Sequence, residues 1–82
     1  MYCQYPPIIQ AMKYEDYIIK FGKAIKKHRI DKDISQEDLA DKAGMHVTYL
    51  SQIERGHANP TLKNLYKLAS AMKLTLSELL AL

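Results

Sequence analysis

Ser35–Gly44, SQEDLADKAG, opens a helix with a hydroxyl, carries it for barely two turns and breaks it with glycine. A helix that short is not stable alone in water, so it must be packed against a partner. The partner follows at once: Met45–Gly56, MHVTYLSQIERG, is a second short helical pattern closed by a second glycine. Ser35 can accept an amide of the first turn, Asp38 can answer it in a capping box, and Ile34 and Leu39 stand at the positions of a hydrophobic staple. Gly44 supplies the left-handed residue that ends the first helix. The spacing predicts helices over about 36–43 and 47–55.

Ala40 is small enough to let the second helix come close, Met45 fills the space beneath the turn, and Leu39, Leu50 and Ile53 fasten the pair. Two short helices about a glycine turn in the window Gln36–Arg55 make a helix-turn-helix, whose second helix can be presented to a DNA major groove. Helical hairpins of ordinary bundles share this geometry, so the flanking sequence has to be read with it.

Upstream, Tyr14, Tyr17, Ile18, Phe21, Ile25 and His28 recur at helical spacing and predict a first helix over 14–31, with Pro7 able to start it earlier. Downstream, Thr61 can cap a helix whose inner face is Leu62, Leu65, Leu68, Ala69 and Met72. Thr75 or Ser77 caps a last short helix with Leu76, Leu79 and Leu80. No β pattern and no internal repeat is present. The expectation is an all-α, compact five-helix domain over 13–82, preceded by an extension, residues 1–12.

Eighty-two residues, 48% of them apolar, make one small domain. A single cysteine, Cys3, excludes an internal disulfide framework and suits a reducing compartment. No apolar run is long enough to span a bilayer and no signal peptide is visible, so a cytoplasmic protein without membrane contact is expected. The formal charge of +3 is compatible with a nucleic-acid partner, and the excess lies in residues 1–34, in Lys13, Lys20, Lys23, Lys26, Lys27, Arg29 and Lys32. Such a stretch is equally the solvated face of a helix. The three histidines are scattered over different elements at no metal-site spacing, and there is neither a phosphate-cradling glycine loop nor a nucleophile–base pair. No metal, cofactor or enzymatic activity is expected.

The stretch FGKAIKKHR…ISQEDLADKAGMHVTYLSQIERGHANPTLKNLYKLASAMKLTLSELL, about Phe21–Leu80, resembles the lambda-repressor-like, XRE-type DNA-binding family. SQEDLA, the glycine four residues after Ala40, IERG and P-T-L occur together in register. Within the family the chain is most similar to controller proteins of restriction–modification systems and small phage-type repressors. The resemblance implies that Val47, Thr48 and Gln52 read bases. It implies that Gln36, His46, Tyr49, Ser51, Arg55, Thr61, Lys63 and Asn64 contact the backbone or mix backbone and base contacts. It also implies a structural ion pair between Arg29 and Glu54.

Physical chemistry supports these roles unequally. Gln52 can offer a paired donor and acceptor to adenine, Thr48 a hydroxyl or a methyl, and Val47 only apolar contact, such as with a thymine methyl. No arginine stands at the front of the second helix to seize guanine, so DNA shape and phosphate contacts share in recognition. Two readings stay open for several positions: Tyr49 as a half-buried packing residue, Val47 as a lid on Met45, Ser51 and Lys63 as solvated. His28 falls where the family usually has leucine and reads as a core or rim histidine with a hydrogen-bond partner. Asp33 replaces a frequent glycine and tolerates a left-handed turn.

One recognition helix reads too few bases for specificity, so the resemblance implies a homodimer on a palindromic, double-stranded operator. Leu74, Leu80 and Leu82, with exposed parts of the fourth helix, are the candidate interface, while Leu76 and Leu79 cap the core. Residues 1–12 are either an arm that packs on a neighbour or an upstream extension, with Met12 as the start. The leading expectation is a sequence-specific, autoregulatory transcriptional regulator, with RNA polymerase as a further partner through Glu37, Asp38 or Asp41. The alternative is an antitoxin-like protein-binding module.

Overall fold

The structure, a computed structural model, describes residues 13–81. The extension 1–12 and Leu82 lie outside the described residues. Among the described residues five helices follow in order: α1 Tyr14–Asp31, α2 Gln36–Ala43, α3 Val47–Glu54, α4 Leu62–Ala71 and α5 Leu76–Leu79. The all-α five-helix expectation holds, and no strand occurs among the described residues.

Three of the five helices, α2, α4 and α5, begin on a hydroxyl residue that satisfies a free amide. Ser35 Oγ accepts from the Asp38 amide at 3.0 Å, Thr61 Oγ1 from Asn64 at 3.1 Å and Thr75 Oγ1 from Glu78 at 3.1 Å. The full capping box is at Thr75, where Glu78 returns the bond to the Thr75 amide at 2.8 Å. At Ser35 only half of the expected box forms, since the Asp38 carboxylate makes no bond back to the Ser35 amide. The first four helices end alike. Left-handed residues Asp33, Gly44, Gly56 and Lys73 follow them, at φ 58, 69, 76 and 60°. The next amide in each case (Ile34, Met45, His57, Leu74) reaches the carbonyl five residues back. This is the Schellman closure, and it turns the chain sharply enough to fit four helices into a short sequence.

The core is Ile25, Leu39, Ala40, Ala43, Leu50, Ile53, Leu65, Leu68, Ala69, Met72 and Leu79. α2 lies between α3 and α4, α1 crosses α3 and α5, and α5 closes against α4. Gly22 makes the crossing of α1 with α3 possible: a Cβ there would collide with the Ile53 carbonyl oxygen. α3 therefore ends with its backbone against α1, an approach that sequence spacing did not reveal.

Two expected core residues are elsewhere. Tyr14 is 59% exposed because it sits in the first turn of α1, outside the cover of the other helices. Leu62 is 67% exposed because it lies at the edge of the α4 stripe and in its first turn. Leu74 and Leu80, expected at a partner surface, are half-buried against the chain's own core, as is Leu76. His28 is half-buried, and its ring makes no hydrogen bond to another described residue.

Candidate nucleic-acid interface

α3 is eight residues long, with Leu50, Ile53 and Glu54 buried. At 3.6 residues per turn these three occupy one side, and Thr48 and Gln52, one turn apart, occupy the other. Both are exposed. Ser51 is half-buried beside them. Arg55, expected as the last helical residue, caps the end; it is exposed, and its Nε lies 3.4 Å from the Ser51 carbonyl oxygen. Val47 and Tyr49 are the two flanks, both half-buried and packed on the core. Val47 borders a shallow open hollow with Glu37, Ala40, Asp41, Met45 and His46. His46 is the N-cap residue of α3, exposed, with extended backbone and no side-chain cap bond.

What holds α3 in place is a polar network at its end. Arg29 of α1 meets Glu54 side-on, Nε to Oε2 at 2.7 Å and Nη2 to Oε1 at 3.0 Å, and its Nη1 donates to the Ile34 carbonyl at 2.9 Å. The side chains are 11% and 2% exposed. Two parallel bonds fix orientation as well as distance. Gln36, the first residue of α2, adds a third donor to the same carboxylate, Nε2 to Oε1 at 2.9 Å. One carboxylate thus ties α1, α2 and α3 together. The Gln36 tie was not foreseen from sequence; in the free chain this side chain faces Glu54 while its helix start stays at the surface.

A second tie runs from α3 to α4. Asn64 Nδ2 donates to the Tyr49 hydroxyl at 3.1 Å. Thr61 and Lys63 are exposed at the same helix start. Thr48, Gln52, Arg55, Thr61 and Lys63 are thus exposed residues of α3, of its C-terminal end and of the start of α4. Leu74 and Leu80 flank α5 in sequence, and Leu82 is outside the described residues. No group of histidine, cysteine or acidic residues suited to a metal occurs among the described residues. No described helix is long and apolar enough to cross a membrane.

A buried polar clamp holding one short helix outward, with polar side chains on its free face, has the form of a helix-turn-helix. Known proteins agree. The family described as helix-turn-helix matches residues 25–79. Control protein C.MunI of Mycoplasma sp is 45% identical over 65 residues, covering 78% of this chain and 88% of its own. Control protein C.BamHI of Bacillus amyloliquefaciens is 39% identical over 61 residues, covering 73% and 75%. The crystal structure of the restriction-modification controller protein C.AhdI from Aeromonas hydrophila has a TM-score of 0.74 at 39% identity, over 76% of this chain and 94% of that one. The chain belongs to the helix-turn-helix family of DNA-binding transcriptional regulators.

Proposed function

We propose that this chain regulates transcription as a cytoplasmic homodimer on a palindromic operator, in the manner of a restriction–modification controller or phage-type repressor, and acts on its own promoter. The observation that carries this is the exposure of Thr48 and Gln52 on the outward side of a helix whose other side is buried. Gln52 pairs with adenine, Thr48 reads a neighbouring base, and Val47 touches a thymine methyl at the rim of its hollow. Gln36, His46, Ser51, Arg55, Thr61 and Lys63 grip the backbone. Phosphate contacts of this kind position the reader without specifying sequence.

Dimerisation uses the exposed apolar flank of α4, Leu62 and Tyr66, which are 67% and 62% exposed and one turn apart. The half-burial of Leu74 and Leu80 against the monomer's own core supports giving the larger share of this interface to α4. Glu37, Asp38 and Asp41 on α2 face solvent and leave an acidic surface for RNA polymerase. No catalytic role is assigned to any residue.

The test is selection of bound duplexes from random DNA, followed by titration of the winner at increasing salt. A two-fold symmetric sequence, two chains per duplex and affinity falling steeply with salt are expected. Equal binding to every duplex, or none, would refute the proposal. Co-purification of a stoichiometric partner protein in place of DNA would favour the antitoxin-like alternative.

A further inference from the structure

Tyr49 stands on α3 between the buried side and the outward side that carries Thr48 and Gln52. Its ring packs on the core, and its hydroxyl accepts a hydrogen bond from Asn64 Nδ2 at 3.1 Å. Asn64 is itself fixed: it is the third residue of α4, and its amide is held by Thr61 Oγ1 at 3.1 Å. A phenol has one proton to give and lone pairs with which to accept. Conjugation with the ring keeps that proton near the ring plane, in one of two opposed directions. An amide NH2 on one side excludes the proton from that side, because donor would meet donor. The proton is therefore turned away from α4, and no described residue accepts it.

We infer that Asn64 is a positioning residue for Tyr49: its amide turns the Tyr49 hydroxyl into an oriented donor for an acceptor oxygen of bound duplex DNA. This rests on the proposed DNA-binding function and revises the role of Asn64, from a group that touches the backbone itself to one that acts through its neighbour. Orientation is set before binding, so the complex forms without the entropy of fixing a free rotor. The acceptor is a phosphate oxygen or a base-edge oxygen; both are acceptors of the same hydrogen bond.

The opposite arrangement, with the phenol proton spent inside the protein, is enforced by Asn64→Asp, because a carboxylate only accepts. That substitution also adds a negative charge, so its cost is measured in two backgrounds, Tyr49 and Tyr49→Phe. The readout is affinity for the selected duplex at one salt concentration, with melting temperature followed for every variant. Tyr49→Phe alone should weaken binding about ten-fold, the scale of one hydrogen bond to a charged group. Asn64→Asp should cost at least about five-fold more in the Tyr49 background than in the Phe background. Asn64→Ala, which frees the rotor without reversing it, should cost about two- to three-fold with Tyr49 present and nothing with Phe, at unchanged melting temperature.

Equal costs of Asn64→Asp and of Asn64→Ala in both backgrounds would overturn the inference, since Asn64 would then act independently of the hydroxyl. If Tyr49→Phe weakens all duplexes alike, the acceptor is a phosphate; if it relaxes one position of the selected sequence, the acceptor is a base. Gln52→Ala serves as the control. Loss of sequence preference there, beside an additive Tyr49–Asn64 cycle, sinks this inference alone. Unchanged preference there sinks the DNA-reading function beneath it.

Discussion

Arg29→Ala removes three hydrogen bonds at once, two to Glu54 and one to the Ile34 carbonyl. It leaves the Glu54 carboxylate, whose side chain is 2% exposed, with Gln36 as its one remaining side-chain partner. Breaking a buried pair by deleting one partner costs about 3–5 kcal/mol, because the other charge stays desolvated. In a domain of this size each kcal/mol moves the melting temperature by about 4–8 °C. Arg29→Ala should therefore melt about 12–40 °C below the parent, close to the whole stability of a small domain. Lys27→Ala is the matched control. Its pair with Asp31 is also short, 2.9 Å, but the side chains are 75% and 58% exposed, on one helix. Such pairs contribute about 0.3–0.5 kcal/mol, so the control should lose no more than about 4 °C. Thermal denaturation followed by circular dichroism reads both. Arg29→Met, which keeps the apolar stem and loses the charge, should fall with Arg29→Ala. Equal melting temperatures for Arg29→Ala and Lys27→Ala would refute the reasoning, since geometry without energetic weight would then hold α3.

Gly22→Ala should destabilise by about 1–3 kcal/mol and lower the melting temperature, because its Cβ meets the backbone carbonyl of Ile53, which cannot swing aside like a side chain. DNA affinity should fall with it, as α3 is pushed off its seat; full stability would show that α1 and α3 can separate freely. Lys73→Gly should raise the melting temperature, since a left-handed non-glycine residue carries about 1–2 kcal/mol of strain, partly offset by the freedom glycine has in the unfolded chain. Lys73→Ala should show no such gain. The Thr75 amide and then the Thr75 hydroxyl hold the Glu78 carboxyl below its ordinary value of 4.5. A group lowered on folding adds stability above its unfolded value and loses it as pH falls through the folded one. Glu78→Gln should thus narrow the stability difference between neutral pH and pH below 4.5; identical pH profiles would contradict the capping role.

The helix starts and stops were legible because their chemistry is local. Ser35, Thr61 and Thr75 need only their own first turns, and Gly44 only its own dihedral angles. Asp33 was read correctly as tolerant of a left-handed turn, for the same reason. What sequence periodicity does not carry is where a neighbouring helix ends. Tyr14 and Leu62 sit on the apolar side of their helices by spacing, yet both lie in first turns that no other described helix covers. Gly22 shares a side of α1 with Arg29, and only the Arg29–Glu54 pairing reveals what must approach it. Among the site residues, the family resemblance implied outward positions for Thr48 and Gln52, and both are exposed opposite the buried Leu50 and Ile53. The ties Gln36–Glu54 and Tyr49–Asn64 span eighteen and fifteen residues of sequence and join different helices, so no local pattern announces them. They matter because each fixes a polar side chain at the edge of the reading surface.

The division of labour between α3 and its surroundings has a consequence for binding. In the proposed function, groups on the outward side of α3 set sequence preference and groups at the start of α4 set strength. The most direct measurement is therefore the full base-preference profile of Gln52→Ala beside that of Lys63→Ala, each with its melting temperature. Gln52→Ala should keep its stability and lose discrimination at one position of each half-site, by about 1–3 kcal/mol, while Lys63→Ala weakens every sequence by the same factor. A Gln52→Ala profile identical to the parent's, from a folded protein, would contradict the claim that α3 reads DNA through its outward side.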